Sequence, residues 1–222
     1  FYIDFNATGA GTGENWTNAA NDFFDVVPFA VYGDEVWVAE GTYGSGGLSW
    51  AAGVKLYGGF VAGQTSIDQR DTTAHPTILS NTAQIFTIAQ DCLVDGFTFS
   101  SVNARAASGG AIVFTPTASG VNTLIQNCVF SNNHVGTGNG GAIYLDPSAN
   151  GVVSTIRNCT FSDNGANGGG GAIYIGASGS GAQTTVENCH FLANSAGTAG
   201  PGGAIYVGTT PQKVIIDRCS FQ

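Results

Sequence analysis

The chain has 222 residues, of which 43% are hydrophobic and 9% charged, ample apolar material for a continuous core and too much for a disordered segment. Lys and Arg number 6 against 15 Asp and Glu, a net charge of −9, so no basic patch is available for phosphates, and nucleic acid and anionic membrane surfaces are poor partners. No apolar run reaches the ~20 residues of a membrane helix, and the opening Phe1-Tyr2-Ile3, with neither signal peptide nor initiator Met, predicts a processed or excised product.

Residues 1–32 read as an N-terminal cap. Asn15 or Thr17 is placed to cap a short α-helix whose apolar positions Trp16, Ala20, Phe23, Phe24 and Val27 share a broad face, with Pro28 marking its end. Such a helix would plug the open end of whatever follows. Residues 33–98 hold irregular extended segments, with predicted strands at 35–38, 54–57, 77–79 and 97–99.

Residues 99–222 are periodic. Gly-Gly-Ala-Ile begins at Gly109, Gly140, Gly170 and Gly202, at intervals of 31, 30 and 32 residues. Phe99, Phe130, Phe161, Phe191 and Phe221 run in phase at intervals of 31, 31, 30 and 30, and Cys128, Cys159, Cys189 and Cys219 make a third ladder. Three chemically different marks with one period mean that one structural unit is stacked repeatedly. Each unit holds three extended runs, as at residues 141–145, 154–157 and 159–161, separated by Gly, Asn and Ser. The predicted fold is all-β: a right-handed parallel β-helix forming one domain over 1–222, since no linker separates the halves.

In the Gly-Gly-Ala-Ile strand, Ile112, Ile143, Ile173 and Ile205 are assigned inward with Phe114, Leu145, Ile175 and Val207, leaving Val113, Tyr144, Tyr174 and Tyr206 as an outward row. The reverse assignment stays open, because the invariantly small Ala also suits a tight interior. Each ladder Cys stands two residues before a Phe, on the same strand face, and is read as a buried free thiol acting as a small hydrophobe. Coils stacked about 4.8 Å apart leave disulfides sterically open. Cys92 lies outside this ladder, because Phe97 takes the equivalent place. Asn127, Asn158 and Asn188 occupy one corner, where Asn tolerates left-handed backbone and stacked amides can bond; Gly96 and Arg218 fill that corner in the flanking units.

The paired marks Gly-Gly-Ala-Ile and Phe-x-x-Asn (Phe130 to Asn133, Phe161 to Asn164, Phe191 to Asn194) resemble the repeats of chlamydial polymorphic outer membrane proteins, autotransported adhesins whose passenger is a β-helix. The opening residues 2–16, Gly33 to Ala39, and Leu56 to Phe60 through Gln69-Arg70-Asp71 look like the N-terminal region of large secreted bacterial β-helix proteins with sorting or anchoring tails. The resemblance implies an extracellular or cell-surface protein of bacterial origin. Phe99 departs from the pattern, being followed by Val102 where Asn is expected.

Parallel β-helices also host lyases and glycosidases, which need paired carboxylates or a base beside a cation. The acids of the regular repeats, Asp146, Asp163, Glu187 and Asp217, are expected at four different phases, and Arg105, Arg157, Lys213 and Arg218 are expected to be scattered. Asp68-Gln69-Arg70-Asp71 reads as a loop-fixing ion pair. Asp4, Asn6 and Glu14 around a Gly-rich turn match no calcium loop, the three His are isolated, and Thr155, Thr160, Thr184 and Thr185 are read as out of phase. Asn6, Asn15 and Asn158 open glycosylation-type triplets, with Asn158 claimed by the corner ladder. No cofactor is expected. The expected function is therefore non-enzymatic: a surface stalk, adhesin passenger or filament subunit, with a polysaccharide-binding or polysaccharide-degrading enzyme as the alternative. Expected partners are other copies of the chain or its own continuation at the edge formed by Cys219, Phe221 and Gln222, and host or cell-surface glycans or proteins, without membrane insertion.

Overall fold

The computed structural model describes residues 1–50, 53–104, 108–198, 200–208 and 213–222; Arg105 lies outside them. The chain winds into a solenoid whose strands pair in parallel with their counterparts in the coils before and after. Sheet A has eight strands: Tyr2–Ile3, Glu35–Ala39, Val54–Phe60, Cys92–Asp95, Asn122–Gln126, Val153–Arg157, Gln183–Glu187 and Lys213–Asp217. Sheet B has seven, from Gly41–Tyr43 to Ser220–Phe221, and sheet C six, from Leu48–Trp50 to Ile205–Val207. In the regular part, the inward residues Ile125, Ile156, Val186 and Ile216 of sheet A are direct register partners, so one coil is one repeat.

A fourth face adds to the three expected strands per coil. Sheet D consists of the two-residue strands Asn103–Ala104, His134–Val135, Gly165–Ala166 and Ser195–Ala196. It lies between the Phe strand of sheet B and the Gly-Gly-Ala-Ile strand of sheet C. Strands this short carry no alternation that a sequence window can register.

The interior is continuous from the cap to the last coils. Ile112, Ile143 and Ile173 are fully buried with Phe114, Leu145 and Ile175, and Ile205 is half-buried; the outward Tyr144, Tyr174 and Tyr206 stack at 5.3 and 5.0 Å. The inward assignment of Ile is therefore the one the structure adopts. Phe99, Phe130, Phe161, Phe191 and Phe221 form a file of stacked rings 4.8–4.9 Å apart and within 6° of parallel. The first four rings are buried and Phe221 is 52% exposed.

Beside the Phe file runs a buried amide ladder. The Asn164 side chain donates to the Phe130 carbonyl (3.0 Å) and to Asn194 Oδ1 (2.9 Å), and its own Oδ1 accepts from the backbone and side-chain nitrogens of Asn133. Asn133 repeats the pattern, donating to the Phe99 carbonyl and accepting from the Val102 amide. Every polar atom of these amides is thereby satisfied without water, which is what permits an Asn inside the solenoid. The ladder's first rung meets Val102, whose backbone N–H suffices.

The cap departs from the expected α-helix. A single 3-10 turn, Phe23–Asp25, is capped by Asp22, whose side chain accepts from the Phe24 amide. Asn15 caps no helix and instead accepts from the Asn18 amide, while Ala20 bridges Ile3 as an extended residue. The helical spacing fails because its apolar residues go to different places. Trp16 packs on Tyr2 and Phe60 outside sheet A, Ala20 and Phe23 enter the core, and Phe24 is 55% exposed.

Candidate functional site

Function must be sought on the exterior rows. Register pairing lines up Asp95, Gln126, Arg157, Glu187 and Asp217 along the outer face of sheet A. Glu187 and Asp217 are direct neighbours here, which corrects the expectation that no two acids share a row, and Arg157 shares it too. The reason is visible in the repeat itself: Arg157, Glu187 and Asp217 each stand two residues before a ladder Cys. Thr155 and Thr185 likewise share a row, but Leu124 and Ile215 bound it on either side, so the threonine row is two residues long.

The outer row is tied by hydrogen bonds. Arg70 pairs with the buried Asp95 at 3.2 Å and donates to the carbonyls of Ile67, Gly58 and Asp95, with its guanidinium over the Tyr57 and Phe60 rings. The partner of Arg70 is therefore Asp95, not Asp68 or Asp71. Asp95 also accepts from Gln126 (2.8 Å) and from Asn127 (2.9 Å). The other end of the Gln126 amide accepts two bonds from Arg157, at 2.8 and 2.6 Å. Arg157 is thus fixed by a neutral partner and forms no ion pair among the described residues. Arg218 holds the last two acids of the row, at 3.6 Å from Glu187 and 2.8 Å from Asp217.

A groove of about 630 Å³ opens over this face. Its floor is the row Lys55, Leu93, Leu124 and Thr155, in direct register, with Arg157 along one side and Asp91 and Asn122 along the other. Asp91 accepts from the Asn122 amide at 2.7 Å, and Lys55 is engaged by Glu35 at 3.3 Å. Tyr32 forms the end wall. It is 76% exposed, and its ring lies against Gly53, where a Cβ would come within 2.3 Å of it. Gly53 has φ +72°, a conformation natural to glycine, so its missing side chain both makes the turn and seats the ring.

The remaining sequence-marked residues are placed elsewhere. Asn127, Asn158 and Asn188 adopt φ of 52°, 54° and 52°, with Arg218 at 48° and Gly96 at 80°. Asn158 donates to Asn127 at 3.3 Å, and Arg218 donates to Asn188 at 2.8 Å. Asp146 follows the Tyr144 strand of sheet C, where burial raises its pKa. Asp71 accepts from the amides of Ala74 and Thr73, which lower its pKa. Asp4 accepts from the Asn6 amide, and no three His, Cys, Asp or Glu side chains converge as metal ligands among the described residues. His75 pairs with Glu40, His134 with Asn132, and His190 with Ser220, each across the exterior.

All five thiols are free. Cys128, Cys159 and Cys189 are buried, each donating to the carbonyl two residues before it; Cys219 is half-buried. Burial raises the Cys159 pKa well above the ordinary thiol value and pushes Cys92, beside Asp91, to about 12. Thiolate is the reactive form, so Cys92 and Cys159 are expected to resist a water-soluble maleimide at neutral pH; Cys128 and Cys189 are expected to resist it because burial keeps the reagent from the sulfur, and all four should react fully after denaturation. Rapid labelling of all four in the native protein would contradict the ladder.

A family model described as the right-handed β-helix region matches residues 57–221. No curated protein and no solved structure matches the chain.

Proposed function

The chain belongs to the right-handed β-helix family, and we propose that it serves there as a non-enzymatic, extracellular structural or adhesive β-helix, acting as a surface stalk, adhesin passenger or filament subunit. Its Gly-Gly-Ala-Ile and Phe-x-x-Asn repeats resemble those of chlamydial polymorphic outer membrane protein passengers and agree with this reading. The observation that carries it is the commitment of the three carboxylates in the outer row of sheet A. Asp95 is saturated by Arg70, Gln126 and Asn127, and Glu187 and Asp217 are held by one guanidinium. Carboxylates so engaged are tied into the hydrogen-bonding and ion-pair network that joins successive coils, as a durable surface requires.

A polysaccharide-acting enzyme is the second reading, favoured by the shared row of Arg157, Glu187 and Asp217. Adjacent strands separate such residues by about 4.8 Å, near the roughly 5 Å of a retaining glycosidase pair. That chemistry also needs one carboxyl held protonated. The carboxyl whose pKa burial raises, Asp146, belongs to sheet C and not to this row. The two readings predict different results. Incubation with pectins, alginates and other uronic-acid polymers, with and without Ca²⁺, is expected to release no unsaturated or reducing ends, while beads coated with the protein are expected to adhere to cells. Turnover on any of these polymers would establish the enzyme reading instead.

The same proposal makes the last described coil a junction. Phe221, Ile216 and Val207 are exposed there, beside Cys219 and Gln222. A further β-coil, supplied by a second copy or by continuing chain, would extend the Phe file and bury these side chains.

A further inference from the structure

We propose that the groove over sheet A, bounded by Tyr32 and Arg157, is a binding site for a hydroxyl-rich oligosaccharide bearing an isolated carboxylate. This deepens the adhesive reading and rests on it. Arg157 is the anchor. Two bonds to Gln126 hold its guanidinium in place, and Gln126 is in turn held by Asp95, which Arg70 locks. The guanidinium therefore lines the groove oriented in advance and in no ion pair among the described residues, although Glu187 stands beside it in register. That arrangement favours a carboxylate received through charge-assisted bonds. Lys55 does not compete for it, because Glu35 already engages that ammonium.

The rest of the groove selects a sugar over an acidic peptide. Leu93 and Leu124 give an apolar floor to the C–H face of a pyranose ring, and Tyr32 offers an exposed aromatic wall seated on Gly53. Across the floor from Arg157, the Asp91 carboxylate and the side-chain carbonyl oxygen of Asn122, whose backbone and side-chain nitrogens are engaged by Asp91 and Gly120, are suited to hydroxyl groups, whereas Asp91 would repel a run of acidic side chains. The net charge of −9 acts in the same direction over a longer range, opposing polyanions and permitting a single negative charge among neutral sugars.

Calorimetric titration with sialyllactose and with lactose tests the site, using the full chain. Wild-type protein is expected to bind sialyllactose about 10- to 100-fold more tightly than lactose, the contribution of one charge-assisted pair. Arg157→Gln should erase that preference, Arg157→Lys should retain part of it, and Tyr32→Ala should weaken both sugars, all with an unchanged thermal midpoint. The inference is overturned if wild type binds neither sugar, shows no preference, keeps its preference in Arg157→Gln, or binds tetraglutamate more tightly than sialyllactose. Bead adhesion separates this inference from the reading beneath it. Adhesion equal in wild type and Arg157→Gln leaves the adhesive reading standing without this site, whereas no adhesion by a wild type that prefers sialyllactose leaves the site standing without the adhesive role.

Discussion

Replacing Phe161 by alanine is expected to destabilise the protein by about 3 to 5 kcal/mol, measured by chemical denaturation. Phe161 is fully buried, with the Phe130 ring 4.8 Å away on one side and the Phe191 ring 4.8 Å away on the other. Removing it therefore costs transfer energy and two ring contacts, and leaves a gap in a file that the backbone ladders hold open. Collapse is restricted because Thr160 and Ser162 are pinned by register pairing to strands on both sides. A cavity that cannot close places the cost toward the upper part of the range. Phe161→Leu, which refills most of the volume, should cost clearly less. In a solenoid the loss is also expected to spread to neighbouring coils, since each coil's stability depends on its neighbours. A Phe161→Ala protein as stable as the parent would contradict the buried, close-packed Phe file.

The stacked architecture was legible because several residue types repeat together. A single period in Phe, Cys and Gly-Gly-Ala-Ile leaves few folds available; the stacked Phe rings, and the left-handed backbone of Gly109, Gly140, Gly170 and Gly202 at φ of 66° to 71°, show why two of these marks recur. Legibility fails where a residue's destination depends on another coil. The spacing of Trp16, Ala20 and Phe23 imitates a helix, yet Trp16 is drawn outside by Tyr2 and Phe60 while Phe23 packs on Tyr43, Trp50 and Phe86. Sheet D is too short to announce itself. The Arg157, Glu187 and Asp217 row was present in the sequence as a constant offset from the Cys ladder, and counting from the ladder would have found it. The groove was not readable at all. Its wall, Tyr32, comes from the cap and meets Gly53 only through tertiary packing, and no local pattern pairs the two.

Asn164→Asp should turn the interior amide ladder into a pH-dependent defect. The wild-type amide donates to two acceptors, the Phe130 carbonyl and Asn194 Oδ1, and accepts twice from Asn133. Aspartate keeps the shape and the accepting oxygen but sets its second oxygen against those two acceptors. Protonated, it can donate to one of them; ionised, it is a buried charge with two facing lone pairs. The folded-state pKa of the new carboxyl must therefore lie above its unfolded value of about 3.9. The sign follows by linkage: the folded protein holds the proton where the unfolded chain releases it, so the variant loses stability relative to wild type as pH rises from about 4 toward the raised folded value. Below that window only the missing donor should register, a loss of about 1 to 2 kcal/mol. At neutral pH the loss should grow to the order of 4 kcal/mol or more, since raising a carboxyl by about three pH units corresponds to that energy. Asn164→Ala is the control, destabilised by its orphaned neighbours at every pH with no such slope. Denaturation of the three proteins at acidic and neutral pH reads the difference directly. A pH-independent deficit in Asn164→Asp would show that the ladder admits water or opens, contrary to an interior in which both Asn133 and Asn164 are fully buried.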